Sequence, residues 1–348
     1  MKRILLFVGI SLSVLLVSAL GWWLFKQREL TEFAQTRFGN EKPKRVLIQR
    51  GTLPPALAQQ LKEAEVIEDA SLFYKWIRRE GVASKLKAGE YEFIGPLSPA
   101  EITNQIIANQ VKTYRFTIPE GLRMDEVVPI MVEAGLDFDA PKLEALMHNP
   151  SFAKQLGLPA QNLEGFLFPD TYLFSRGATE EDALKKMVKA TLDTYAAAPR
   201  KPEVELNLLE TITLASIIEK ETGTPEERPR ISCVFHNRLR QGKRLETDPT
   251  VLYAKMLRLG YFHNNITRKD LETPHPYNTY KIKGLPPGPI ASSGKAAIEA
   301  ALMPMDCKEL FFVSKNDGTH VFCPDYECHK KAVDLWQIQF HENKKKTR

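Results

Sequence analysis

Basic residues barely outnumber acidic ones in this 348-residue chain, 48 against 43, for a formal net charge of +5. Much of that excess sits in the tail from Lys344 to Arg348, which reads as a solvated end, so the charge implies no nucleic acid partner. Cysteines are scarce, four in all. Cys323 and Cys328 are close enough in sequence for a local disulfide in an oxidising compartment, whereas Cys233 lies in an apolar stretch and reads as a buried small side chain. Together with His320 and His329, Cys323 and Cys328 match no standard ligand spacing, so neither a metal site nor a cofactor is expected. There is no internal repeat, and strands and helices alternate in no regular βαβ order, which excludes a doubly wound sheet and favours an α+β fold. Disorder throughout is excluded as well, by 43% hydrophobic against 26% charged residues.

What is present begins at the N-terminus. Lys2 and Arg3 precede an uncharged run from Ile4 to Phe25, closed by Lys26 and Arg28. As a helix this run spans about 33 Å, enough for a bilayer core of roughly 30 Å. A cleaved signal peptide is the rival, because Val17-Ser18-Ala19 offers small residues to a peptidase. An uncleaved anchor is favoured: the apolar run continues past that point, and Trp22 and Trp23 lie where interfacial aromatics belong. The expected organisation is a cytoplasmic N-terminus (1–3), a transmembrane anchor (4–25), a polar linker (26–45), a small module (46–112) and a larger mixed α+β domain (113–348). A short charged N-terminus ahead of a large exported domain sets the N-terminus inside and the bulk of the chain outside the cytoplasm.

Local signals fill in the elements. Val46 to Ile48 and Gly89 to Phe93 read as strands, Leu53 to Ala64 and Ser71 to Arg79 as helices. Ser98-Pro99-Ala100-Glu101 starts another helix, with Ser98 as cap and Glu101 closing a capping box. Further on, helical patterns are expected at Met124 to Ala134, Pro141 to His148, Glu180 to Ala198, Leu206 to Glu221, Ile231 to Arg240, Lys295 to Leu302 and His329 to His341. Strands are expected at Tyr114 to Ile118, Leu310 to Ser314 and His320 to Phe322. Thr247 to Gly294, which holds many of the prolines and glycines, reads as a loop-rich region with no helix assigned in it.

The stretch Leu214 to Gly223 (LASIIEKETG) carries the chemistry. Positions three, four and seven back share a helix face, so Glu221 caps a stripe of Ile218, Ile217 and Leu214. Glu219 lies over Ser216, Ala215 and Ile212, about 200° round the axis. A carboxyl group held against apolar side chains resists ionisation and keeps its proton toward neutral pH, as a general acid must. The competing assignment makes Glu221 an ion-pair partner of Arg228 or Arg230 at a helix end.

Five segments stand around this helix. Glu164-Gly165-Phe166-Leu167-Phe168-Pro169-Asp170-Thr171-Tyr172 precedes the LASIIEKET stretch. Val234-Phe235-His236-Asn237-Arg238-Leu239, Thr247-Asp248-Pro249-Thr250-Val251, Tyr277-Asn278-Thr279-Tyr280 and Gly284-Leu285-Pro286-Pro287-Gly288-Pro289-Ile290 follow it. In this order and spacing they resemble the YceG-like family, the endolytic murein transglycosylases of bacterial cell-wall synthesis. The resemblance runs from the anchor through a LysM-like module to the region of His320 and His329. It implies cleavage of the MurNAc to GlcNAc β-1,4 bond of nascent glycan strands, leaving 1,6-anhydroMurNAc ends, and a role in terminating strand elongation.

The resemblance also places the family's catalytic glutamate on Glu221 rather than Glu219. One carboxyl group suffices for this reaction, because the attacking C6 hydroxyl is tethered to the sugar; hydrolysing glycosidases need two. Glu164, Arg238, Asp248, Asn278 and Tyr280 are the expected substrate contacts, with a turn asparagine and a packed tyrosine as equal alternatives for Asn278 and Tyr280. Glu164 would orient the catalytic group, Arg238 would hold a stem-peptide carboxylate or tie down its loop, and Asp248 would serve as cap or contact. Peptidoglycan is the implied partner, with cell-wall synthases as a further one. A muramidase using water and a non-catalytic wall-binding scaffold are the alternatives.

Overall fold

The structure, a computed structural model, describes residues 2–339, with side chains from residue 13 onward. The basic tail, the end of the expected closing helix and the side chains of 4–12 in the expected anchor lie outside the described residues. The chain divides into two units, residues 1–114 with 173–178, and residues 115–172 with 179–348.

In the first unit, α1 (Lys2–Gln35) leads to β1 (Lys44–Ile48), α2 (Pro54–Glu63), α3 (Ala70–Arg79), β2 (Gly89–Phe93) and α4 (Pro99–Ile107). β1 and β2 pair antiparallel, Lys44 opposite Phe93 and Ile48 opposite Gly89. Alternation along β1 turns Val46 and Ile48 inward and leaves Leu47 exposed. The helices contribute residues four apart on one face, Leu57 with Leu61, Phe73 with Ile77 and Ile102 with Ile106, all in one core with Tyr91 and Phe93. Ser98 and Glu101 form the expected capping box of α4.

The stretch expected to be a linker is instead helical as far as Gln35. Leu30, Phe33 and Ala34 give that end of α1 an apolar face that packs into the core of this unit. The Arg79 guanidinium also donates to the Gln27 carbonyl at 3.0 Å and to the Thr31 hydroxyl at 3.2 Å. Among the described residues no helix is long and apolar enough to cross a membrane. The described part of the apolar run is nevertheless open to solvent on every side, Leu16, Val17, Trp22, Trp23 and Phe25 included.

The second unit holds α5 (Met124–Val132), α6 (Ala140–Met147), α7 (Pro150–Gln155), α8 (Glu180–Ala197), α9 (Leu208–Glu221), α10 (Arg228–Arg240), α11 (Asp248–Leu259), α12 (Arg268–Glu272), α13 (Lys295–Leu302), β5 (Phe311–Ser314), β6 (His320–Cys323) and α14 (Tyr326–Val333). A single π-helical turn over 334–339 continues α14. Strands β3 (Thr113–Thr117) and β4 (Thr171–Ser175) form a two-stranded sheet. β5 and β6 form an antiparallel hairpin. Half the residues are helical and the sheets are small, an α+β arrangement.

At the centre of this unit α9 packs against α10, α11 and α13. Every residue from Thr211 to Ile218 is buried, so the helix is enclosed all round and polar Ser216 needs a partner. It finds two: the Ser216 hydroxyl donates to the Thr213 carbonyl at 2.7 Å and accepts from the Ile290 N–H at 3.0 Å. Gly165, at φ +76°, lets Pro289 come close; a Cβ there would fall 2.3 Å from the Pro289 Cβ. The Gly165 and Pro289 segments, far apart in sequence, therefore lock together over α9.

Two expectations change here. The region from Thr247 to Gly294 is not loop throughout, since α11 and α12 lie within it; Pro249 in the first turn of α11 starts a helix rather than breaking one. Cys233 is buried but not a lone thiol, because it is disulfide-bonded to Cys307, 74 residues away. Cys323 and Cys328 are bonded to each other.

Candidate active site

Helix α9 starts on a capping box of Asn207 and Glu210 and ends with Glu219 and Glu221 on different sides of its last turn. The Glu219 side chain is 5% exposed and lies 2.7 Å from the Arg228 guanidinium. Its second oxygen accepts the Gly294 N–H at 3.0 Å. Arg228 reaches Glu120 as well, at 3.3 Å, and a Cβ on Gly294 would meet the Glu120 carboxylate at 1.7 Å. Burial raises the Glu219 pKa, opposed by the Gly294 N–H and by Arg228. Every acceptor is matched, and the group is tied into the fold. Arg228 is thus the partner of Glu219 rather than of Glu221, and Arg230 pairs with Glu309.

Glu221 stands above Leu214, Ile217 and Ile218, each without solvent exposure. Among the described residues no cation pairs with it. It opens onto a cavity of about 310 Å³ that Arg238, Glu246, Thr247, Asp248 and Tyr280 also line. The Thr247 hydroxyl donates to its carboxylate. Thr247 occupies the cap position of α11 yet makes no side-chain cap bond, so the hydroxyl that would ordinarily serve its own helix serves Glu221. Burial pushes the Glu221 carboxyl up to about 7; the Thr247 hydrogen bond works against the rise and the Asp248 charge adds to it.

Thr247 is itself held. Its N–H donates to the Thr279 hydroxyl at 3.1 Å, and the Thr250 and Thr279 hydroxyls are 2.7 Å apart. Glu246, just before it, has φ +52°, an uncommon left-handed conformation for this residue type. The strained residue turns the chain so that Thr247 faces α9.

The other expected site residues separate into two groups. Asp248 and Tyr280 meet in the cavity, the Tyr280 hydroxyl donating to Asp248 at 2.7 Å. Arg238 borders the same cavity, but its guanidinium is committed to the Arg244 carbonyl at 2.7 Å, the Leu310 carbonyl at 3.0 Å and Glu246. Of the two roles expected for it, tying down its loop is the one seen. Asn278 is buried, and its amide donates to the Asp270, Leu271 and Thr273 carbonyls at 3.2, 3.2 and 2.7 Å. It latches a turn and does not line the cavity.

Glu164 does not line the cavity either, and its hydrogen-bond partners lie elsewhere. It accepts the Met124 N–H and the Tyr253 hydroxyl, both at 3.1 Å, inside the protein. Burial lifts its carboxyl to about 7 too, so a raised pKa alone does not mark a reacting group; access to a cavity does. Sequence reasoning missed a role for Thr247, although its place before Asp-Pro at a helix start was a cap signal. It also missed Phe311 and Tyr326, which line the cavity beside His329.

A larger cavity, of about 530 Å³, lies on the opposite side of α10, bordered by Lys201, His236, Arg240 and the Cys233–Cys307 bridge. Glu221 does not line it, and its Asp306 carboxylate is paired with Lys201; chemistry rather than size selects the cavity at Glu221. There a protonated carboxyl near neutrality, one hydroxyl partner and an open approach are combined, which is what proton donation to a bound oxygen requires.

Residues 46–335 match the model of the YceG-like family. The chain belongs to that family. It is 33% identical over 308 residues to the endolytic murein transglycosylase of Bacillus subtilis (strain 168), covering 83% of each chain. It is 26% identical over 320 residues to the endolytic murein transglycosylase of Streptococcus pneumoniae serotype 2, covering 82% of this chain and 57% of that longer protein. The structure is similar to that of a YceG-like protein from Listeria monocytogenes, with a TM-score of 0.55 at 31% identity, covering 84% of this chain and 99% of the other. The similarity in each case spans both units described above.

Proposed function

We propose that this YceG-like chain is an endolytic murein transglycosylase, with Glu221 as its only essential carboxyl group. One observation carries the proposal: a carboxyl lifted to about 7 stands at the end of a buried helix and opens onto a cavity, and among the described residues no cation pairs with it. The B. subtilis and S. pneumoniae relatives are named for that activity. In the proposed reaction the Glu221 proton passes to the oxygen of the MurNAc to GlcNAc β-1,4 bond as that bond breaks. Glu221, now a carboxylate held by the Thr247 hydroxyl, takes the proton of the C6 hydroxyl as its oxygen closes on C1, leaving a 1,6-anhydroMurNAc end. Protons balance, and the tethered hydroxyl replaces water.

A water-using muramidase is the second reading, and Asp248 favours it, because it sets another carboxylate in the same cavity. Mass spectrometry of strands cut by the purified protein separates the two. Anhydro ends, lighter by one water than reducing ends, support the transglycosylase; reducing ends alone overturn it. In cells the reaction would end the growth of nascent strands.

The remaining assignments belong to the same proposal. Residues 46–112 form a LysM-like module that binds glycan or a cell-wall synthase, supported by the compact β1-α2-α3-β2 arrangement of the first unit. Residues 4–25 anchor the chain in the bacterial membrane with its bulk outside the cytoplasm, supported by the solvent-open apolar side chains from Val14 to Phe25. Fractionation of cells expressing the full chain tests the anchor, and recovery in the salt-washed soluble fraction would refute it.

A further inference from the structure

The cavity at Glu221 has a second wall that the reaction does not use. Tyr326, at the start of α14, is 67% exposed although its ring faces other aromatics. It lies edge-on to Phe311 at 6.1 Å and 6.0 Å from the His329 ring. Phe311 stacks on His329 at 4.9 Å with 26° between planes. All three border the cavity into which Glu221 opens. A large aromatic ring left in solvent beside a polar cavity needs a reason, since burying it elsewhere would stabilise the fold.

The surroundings hold this wall rigid. Arg238 lies over Phe311, its guanidinium carbon 5.2 Å from the ring centre. Cys323 at the end of β6 and Cys328 in α14 are bonded across Tyr326. Asp325 caps α14 through the Cys328 N–H at 2.8 Å. The turn bearing Tyr326 is therefore fixed on both sides, and the ring can meet a ligand with little loss of freedom. The wall is also uncharged: burial and the nearby Arg238 lower the His329 pKa, against a smaller opposing effect of Glu246.

An uncharged aromatic surface beside hydroxyl and carboxylate groups suits a ligand with an apolar face and a polar rim. A pyranose ring has that form, with C–H bonds on its faces and hydroxyls round its edge. We propose that Tyr326, Phe311 and His329 form a sugar-stacking platform for one pyranose of the glycan strand beside the scissile bond, braced by the Cys323–Cys328 bridge. This deepens the transglycosylase proposal and rests on it for the ligand class. A stem peptide is a different ligand and serves as the control.

The test measures binding of full-length Glu221→Gln protein to glycan strands freed of stem peptides, with and without a second substitution. Tyr326→Ala weakens binding about tenfold, the loss expected for one stacked aromatic ring. Tyr326→Phe and Tyr326→Trp keep binding within about twofold, because the ring face rather than the hydroxyl makes the contact. Replacing Cys323 and Cys328 together with serine weakens binding in the same direction, while circular dichroism and melting report whether the fold is kept. Unchanged affinity for Tyr326→Ala overturns the platform, as does equal loss for Tyr326→Phe, or loss of binding to free stem peptide alone. Catalysis is scored separately: glycan release by Glu221→Gln would defeat the enzyme proposal and leave the binding result standing.

Discussion

Glu219 and Glu221 are two residues apart on one helix and differ in almost everything that governs a carboxylate. Glu219 is matched oxygen by oxygen, with Arg228 on one side and the Gly294 N–H on the other. Glu221 has a threonine hydroxyl and a cavity. Burial acts on both, but only at Glu219 is there a buried cation in reply. The same side chain is thus a structural tie on one face of α9 and, in the proposed reaction, the proton donor on the other. Glu164 supplies a third case, with its carboxyl lifted to about 7 and sealed from any approach. Burial sets the pKa; the surroundings decide whether the proton can be used.

The comparison breaks most visibly if the roles are exchanged. Replacing Glu221 with Gln is expected to lower glycan cleavage by about 10²- to 10⁴-fold, the usual contribution of a general acid, without loss of fold. Release of anhydro-ended fragments from purified strands measures it, and cleavage within threefold of the parent would defeat the assignment. Glu219→Gln should act the other way. It strands Arg228 with the more exposed Glu120, and breaking such a buried pair costs about 3–5 kcal/mol. Denaturant unfolding reports that loss, while activity per folded molecule should hold; a stable but inactive Glu219→Gln would reverse the two roles.

Acidity sharpens the contrast further. Because the folded pKa of Glu221 is above its ordinary value, the folded state keeps a proton between pH 4.5 and about 7 that the unfolded chain has released. Stability from this group is therefore present at low pH and is lost as pH rises through that window. The parent should lose up to about 3 kcal/mol relative to Glu221→Gln across it, 1.36 kcal/mol for each unit. Parallel stability curves for the two proteins would rule out the raised pKa. Cleavage should likewise fall as pH rises through about 7, where the acid loses its proton. The smallest effect is expected for Thr247→Val. Loss of its hydrogen bond moves the alkaline limb of that profile to higher pH, since the bond holds the pKa down, and costs about 1 kcal/mol of stability. A shift to lower pH would contradict the Thr247 assignment.

Much of this could be read locally. The stripe of Leu214, Ile217 and Ile218 beneath Glu221, the capping box at Ser98 and the β5–β6 hairpin follow from periods and caps that a few residues determine. α11 was hidden because a stretch dense in proline and glycine suggests loop, although Thr247-Asp248-Pro249 is also a sound helix start. Partners distant in sequence were beyond reach: Cys233 could not announce Cys307, and Arg228 offered the same charge to both glutamates. Asn278 and Arg238 illustrate the same limit. Polar residues suited to a sugar are equally suited to latching carbonyls, and only the fold decides which they do.

The close approach of Gly165 to Pro289 sets an order on assembly. These segments are 124 residues apart in sequence, and Ile290 must come back across 74 residues to satisfy Ser216. Loops of that size lose chain entropy before any contact repays it. The helix carrying Glu221 can form early from its own cap, but its middle, at Ser216, is enclosed only when the distal segment closes over it. A nascent chain should therefore remain chemically silent until nearly all of the second unit has been made.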